Sequence, residues 1–431
     1  MHISLDSALG RQRRLNSVGE SVLQIAPNAA AAYSLRSLTG GDPRAVRVRR
    51  SSDNAEQDFT SSGVSSGALT SFVNEDVELF SNDFETNTSG FTLNTGGSNV
   101  AVRNTSDGFS GSGCLQLNLT SSSNSINTVK TDTYMQDTDG VIYTVSFYAK
   151  AISGSANLVL KIGTESSSLQ QISFSENGGE WVKYSLTFVN NFGAGAGNRS
   201  QRILFAASTN NTTEWRIDDF QIVQTTSNGF VETWYDQSGN SKDATQPTAG
   251  SQPKIVDEGS LVTGGIDFDG TDDIGLVTGS FSLTQTYSTF SVSHTDDAST
   301  SQGVWSTAAS FDSTFNAAQL FRSDDGFSIN SGTTLTTAGT INYVADRNYL
   351  QTNVVNGGSS SIFVDGATGA TGNMGATNPS GVLILGYYKS GSNIQNLDGA
   401  IKELIIYDSD QTSNRAALET NIAAANGVTL S

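Results

Sequence analysis

Breaking a glycosidic or acyl bond takes a positioned acid and a base or nucleophile, so carboxylates, histidines and cysteines come first. The chain carries 42 Asp and Glu but only two His and one Cys in 431 residues. His2 and His294 are far apart in sequence, so neither a Cys/His zinc site nor a Ser-His-Asp triad is supported. Cys114 lies in the strand-like run GSGCLQLNL and reads as a small core residue; a single cysteine excludes an intrachain disulfide. Asp296-Asp297 and Asp324-Asp325 are adjacent acids. Neighbouring strand residues point to opposite faces, so these pairs read as turn formers rather than partners on one bond. Asp236 in YDQSGN and Asp269 in FDG read as groups that fix loops through their own backbone. The GxG and GG sequences lie in Ser/Thr-rich turns without the strand-to-helix setting of a phosphate loop.

Charge is unevenly spread. The net charge is −19. Residues 1–50 hold eight Arg and no Lys against Asp6, Glu20 and Asp42, which is +5, so the other 381 residues carry −24. An acidic body of this kind repels phosphate and argues against nucleic-acid binding. Arg11, Arg13, Arg14, Arg47, Arg49 and Arg50 are the candidate docking residues, because a guanidinium fork suits an acidic protein partner.

The elements that would position these groups are mainly strands. Charged residues are 15% and glycines number 44, a texture of Ser, Thr, Asn and Gly that suits strands and turns. At about 100–200 residues per domain, two or three domains are expected. No apolar run approaches the ~18–20 residues of a membrane span, and MHISLDSALGRQRRLN has no apolar core of a secretory signal. AAAAYSLRSL at 29–38 reads as a short helix by alanine propensity, and AVRVRR at 45–50 as a strand with one basic face. In IYTVSFYAKA, Tyr143, Val145, Phe147 and Ala149 alternate with Tyr148 and Lys150 on the other face. In EWVKYSLTFV, Val182, Tyr184, Leu186 and Phe188 are assigned inward, Trp181 and Lys183 outward. A closing helix is expected with Thr412 or Ser413 as cap, Leu418 and Ile422 inward, and Gly427 past its end.

Several stretches resemble a known family. AAYSLRSL at 31–38, VRVRRSSDNAEQDF at 46–59, VETWYDQSGNSKDATQ at 231–246, QPKIV at 252–256 and IDFDGTDD at 266–273 are similar to the catalytic domain of the arabinofuranosidase B type, a concanavalin-A-like sandwich. SIFVDG, LILGYYKSG and LDGAIKELIIYDSD look like a laminin-G or concanavalin-A-type ending. Between SFVN and GFVETWYDQSG lies a block that begins LFSNDFETNTSGFTL and ends EWRIDDFQIV, similar to sugar-binding jelly-roll modules. SLDSALGRQRRLNSVGESVLQI, at the start, looks like the opening of virion proteins of marine tailed phages.

The resemblance implies an all-β chain of two antiparallel sandwiches, one inserted into a loop of the other. Residues 1–28 would form an extended or partly helical anchor, 29–79 and 228–431 the lectin-like sandwich, and 80–227 the inserted jelly roll. The family's acid after the strand that here reads LILG falls on Tyr387-Tyr388-Lys389-Ser390, which has no carboxylate; Asp312 is the one acid near the other expected position. The fold is therefore expected without hydrolase activity. Trp181 and Tyr148, on polar strand faces, are candidate sugar platforms, and Tyr387 or Tyr388 sits where the family has its cleft. Glu85 with Asp218 or Asp219 would supply hard oxygens for a structural calcium ion. The expected role is a structural surface protein of a tailed-phage virion, a head spike, head fibre or tail fibre. It would be homotrimeric, docked on other virion proteins and touching host-surface polysaccharide. A polysaccharide-degrading hydrolase and a bacterial surface adhesin are the alternatives.

Overall fold

The computed structural model describes residues 19–93, 99–120, 129–131, 141–163, 168–175, 177–189, 202–225 and 228–431. Arg11, Arg13 and Arg14 lie outside the described residues. The chain divides into two compact units, Met1–Val73 with Asn228–Ser431, and Asn74–Ser227. The second therefore begins at Asn74 and not at 80, because the strand Val77–Asn82 already pairs with the unit's own Thr213–Gln224. Every strand pairing is antiparallel among the described residues, and no described helix is long and apolar enough to cross a membrane.

The first unit is a sandwich. One run of strands passes from Ala367–Gly372 through Ser360–Val364, Tyr349–Val355 and Tyr287–Ser293 to Asp398–Tyr407. The far edge of Asp398–Tyr407 is shared by Ala31–Ser34 and Ile266–Asp269. The facing run pairs Leu276–Ser282, Ser380–Leu385, Gln302–Ala308 and Phe315–Phe321. Period-two alternation sets the layers: Leu404 and Ile406 enter the core between the runs, while Ile405 and Tyr407 point out beneath the helix Arg415–Asn426. That helix buries Leu418 and Ile422 and ends as expected, with Gly427 at φ 69° donating its amide to Ala423 O. Its N-cap is Asn414, not Thr412 or Ser413.

Three expectations for the first fifty residues meet a different structure. Residues 29–38 contain the strand Ala31–Ser34, in register with Glu403–Ile406, and no helix. Alanine propensity is a fraction of a kcal/mol per residue, and ladder bonds plus full burial of Ala31, Ala32 and Tyr33 override it. Residues 19–28 are part of the sandwich, since the helix Val22–Ile25 buries Val22 against the cluster that holds Leu418 and Ile422. The strand Arg44–Arg50 also lacks a free basic face. Arg49 and Arg50 are buried: Arg49 donates to Gln252, Asn54 and Ala249 O, and Arg50 to Asp53 and Phe72 O. Arg47 is held 2.7 Å from Asp58. The Arg49 and Arg50 guanidiniums tie together a turn and a distant loop and are not free for docking, whereas the Arg47 side chain stays 41% exposed.

The sandwich core contains a polar thread. Trp305 Nε1 donates to Gln319 Oε1 at 3.0 Å, and Gln319 Nε2 donates to Ser291 Oγ at 2.6 Å. Asn353 Nδ2 donates to Gln319 Oε1 and to Thr289 Oγ1, and Gln351 donates to Asn353. All of these residues are buried. Gln319→Leu keeps the volume but strips Trp305 and Ser291 of a partner, and is expected to lower unfolding free energy by about 2–4 kcal/mol in denaturant titration. An unchanged midpoint would show that the thread is dispensable.

The inserted unit pairs Ser168–Phe174, Leu158–Gly163, Arg202–Ala207, Val129–Thr131 and Phe91–Leu93 in one sheet. The other is Val182–Val189, Ile142–Gly154, Thr213–Gln224, Cys114–Leu119 and Val100–Asn104, with Val77–Asn82 also on Thr213–Gln224. Phe147, Phe205 and Phe220 meet between the sheets. The first and last strands pair, placing Val77 directly across from Gln224.

Candidate functional site

The strand Ile142–Gly154 buries Tyr143, Val145, Phe147 and Ala149, so Tyr148 and Lys150 must stand on the outer face of the six-stranded sheet. Register places Lys183 across from Tyr148 on one side, and Asp218 across from Tyr148 and Arg216 across from Lys150 on the other. The next hairpin, between Val100–Asn104 and Cys114–Leu119, carries the loop TSDGFSGSG over this face. Phe109, at its centre, stacks on Tyr148 with ring centroids 3.6 Å apart and 15° between planes. It meets Trp181 edge-on at 6.0 Å. Phe109 is 43% exposed, high for an aromatic ring with one face stacked and an edge packed.

The loop is fixed by Asp218. Ile217 and Phe220 are both fully buried, although an odd spacing would send them to opposite faces of a regular strand. A register shift between Asp218 and Gln221, with Asp219 at φ 46°, resolves this. Alternation after the inward Ile217 puts Asp218 on the outer face, where its Oδ2 accepts the amides of Phe109 at 2.7 Å and Ser110 at 3.1 Å. Asp219 accepts from Ser110 Oγ at 2.6 Å. Burial pushes the Asp218 carboxyl up from its ordinary range, against the pull of the Ser110, Asp219 and Phe109 amides. Cations frame the rings: Lys150 donates to Asp107 and lies 5.2 Å from the Trp181 centroid, and Lys183 lies 5.9 Å from that of Tyr148. Arg216 pairs with Glu214 and stands 3.7 Å from Asp107.

The sequence-selected Trp181 and Tyr148 are thus brought together, but with different parts. A sugar cannot enter between rings 3.6 Å apart, so Tyr148 is the support and Phe109 presents the free face. Phe109 was not singled out in the sequence; its one signal is a large aromatic between glycines in a polar loop, DGFSGSG.

The candidate calcium oxygens of Glu85 and Asp218 are tied to the loop backbone. Glu85 Oε1 accepts the Gly113 amide at 2.7 Å, and both Asp218 oxygens accept amides. The guanidinium of Arg103 donates to the carbonyls of Phe84 and Glu85, placing a built-in positive charge beside the same segment. Among the described residues, the one trio of acids with oxygens gathered closely is Asp269, Asp272 and Asp273, in the other unit. There Asp269 Oδ1 accepts the amides of Thr271, Asp272 and Asp273, the loop-fixing role assigned to it.

In the first unit Tyr387 is 2% exposed, so it is no platform. Its hydroxyl donates to Asp312 at 2.9 Å, and its ring packs against Phe311. Tyr388 is half-buried on Phe315. Lys389 Nζ lies 2.6 Å from Asp312 and, with the Tyr387 hydroxyl, holds its carboxyl below the usual range. A carboxylate so held is charged at neutral pH and cannot donate the proton that glycoside cleavage needs. His294 has Asp296 3.1 Å from one ring nitrogen and Asn348 3.1 Å from the other, which leaves neither free for a nucleophile's proton. Cys114 is fully buried, which pushes its thiol up to about 11 and removes it as a nucleophile.

Residues 78–196 match the carbohydrate binding domain family. The match lies within the inserted unit and includes Phe109, Tyr148 and Trp181. Among solved structures, the chain is similar to the Trypanosoma rangeli sialidase at 10% identity and a TM-score of 0.33. That alignment covers 45% of this chain and 31% of the sialidase, so the chain spans about a third of the sialidase's length. The CBM22-1 xylan-binding domain of Paenibacillus barcinonensis Xyn10C aligns with 35% of this chain and 96% of its own, at 18% identity and a TM-score of 0.25. The heptameric SAP-like pentraxin of Limulus polyphemus aligns with 35% and 78%, at 13% identity and a TM-score of 0.29. No curated protein matches the chain.

Proposed function

We propose that this chain is a glycan-binding protein without hydrolase activity, holding sugar against Phe109 and Trp181 on the inserted carbohydrate binding domain. The observation that carries this reading is the exposed Phe109 ring, ordered by Tyr148 beneath it and by Asp218 on its backbone. An aromatic face packs against the C–H side of a pyranose, and a ring already ordered loses little entropy on binding. Retention on insoluble polysaccharides and on a glycan array tests it, with reducing-sugar release measured alongside. Binding without release is expected; release of reducing sugar would overturn the non-hydrolytic part, and no retention on any glycan the binding part.

The same reading places the protein on the surface of a tailed-phage particle, made in the host cytoplasm and docked on other virion proteins. Its support is the resemblance of the opening residues to phage virion proteins. With Arg49 and Arg50 buried on internal acceptors, docking by guanidinium falls to Arg11, Arg13, Arg14 and the part-exposed Arg47. A homotrimer would give several weak sugar sites avidity. Co-sedimentation of the protein with intact particles, and its mass in solution, test these two statements; failure to co-sediment would remove the virion assignment.

A further inference from the structure

The basic residues on the binding face are unequally committed. Lys150 is taken by Asp107, and Arg216 by Glu214 with Asp107 nearby. Lys183 is exposed, and no carboxylate pairs with it among the described residues. It stands across from Tyr148 and two residues along the strand from Trp181, with its ammonium 5.9 Å from the Tyr148 centroid. The inserted unit has 15 acids and eight bases between residues 74 and 227, yet three of the eight gather here. An uncommitted ammonium at the edge of an aromatic platform is placed for what a stacked sugar presents there. The equatorial substituents of a pyranose project outward in the plane of its ring, parallel to the platform.

We propose that the site takes an anionic polysaccharide whose sugars carry carboxylates, the uronate oxygen lying against the Lys183 ammonium. This rests on the glycan-binding reading above and names its ligand class. The ammonium acts as a point charge, without the fork that would select a particular anion geometry. The pair is solvent-exposed, so its contribution is modest and salt-sensitive.

The test compares the full chain on polygalacturonate, alginate and hyaluronan with the methyl ester of each, since esterification removes the charge and keeps the sugar ring. Neutral xylan and β-glucan complete the panel. An acid form is expected to be held about three- to fivefold more tightly than its ester at low salt. The ratio is expected to fall toward one in 0.5 M salt or with Lys183→Met, and to return with Lys183→Arg. Equal affinity for acid and ester, or retention of neutral glycans alone, overturns the ligand class and leaves glycan binding standing. Retention on nothing overturns both.

Discussion

Phe109→Ala is expected to weaken binding to the best-retained polysaccharide by at least about tenfold, an aromatic anchor at a binding site contributing roughly 1.5–3 kcal/mol. The ring is the outermost of the three aromatics, and its 43% exposure means that its removal opens little core. Thermal stability should therefore stay close to that of the parent chain, which separates a lost contact from a lost fold. Tyr148→Ala is a different experiment, because it removes the support under Phe109. Asp218→Ala differs again: it strands the amides of Phe109 and Ser110, so affinity and stability fall together. Isothermal titration of the three variants beside their melting curves tells these cases apart. A Phe109→Ala protein that binds like the parent would refute the platform.

Asp273→Asn is expected to stabilise the first unit at pH 8 by about 2 kcal/mol and to do little at pH 4. Asp273 is 7% exposed beside Asp269 and Asp272, and burial followed by repulsion from Asp269 pushes its carboxyl up to about 7. Asp267, half-buried, is pushed up to about 6 by desolvation and then by repulsion from Asp296. A carboxyl raised in the folded state favours the protonated fold. Its contribution is full below the unfolded value near 4 and is lost as pH rises through about 7. Asp53 and Asp58, lowered by Arg50 and Arg47, act in the opposite sense and lose their contribution in acid. The first unit should accordingly be most stable in mild acid and soften toward pH 8. An asparagine at 273 cannot ionise and should flatten that decline. Denaturant titrations at pH 5 and 8 check this; parallel pH profiles for the two proteins would show that Asp273 ionises freely.

Where one rule dominated, the sequence could be read. In 142–151 strict alternation ran through the centre of a sheet, and each of Tyr143, Val145, Phe147 and Ala149 is buried as assigned. The same pattern in 181–189 lay on an edge strand. There Phe188 is buried and Val182 is exposed, because alternation fixes the face and not the depth. Ala31–Ser34 was misread because its partner lies some 370 residues away, beyond any local propensity. Arg49 and Arg50 were misread because their acceptors, Asp53 and Gln252, become neighbours through a turn and a distant loop. Trp181 and Tyr148 were found as aromatics on polar faces. Phe109 has no period to betray it, and its position depends on the Asp218 carboxylate more than 100 residues on.

The pairing of Val77 with Gln224 bears on the order of events as the chain folds. The strand Arg44–Arg50 must find Gly229–Trp234 across the 154 residues of Asn74–Ser227. Over an unstructured tether of that length, ring closure opposes the encounter by about 4 kcal/mol. Once the inserted sheets have formed, their two ends are one strand spacing apart and most of that penalty is gone. The insert thereby acts as a clasp on the nascent chain, lowering the effective contact order of its host. Mutations that loosen it should slow refolding of the first unit, though they touch none of that unit's own side chains.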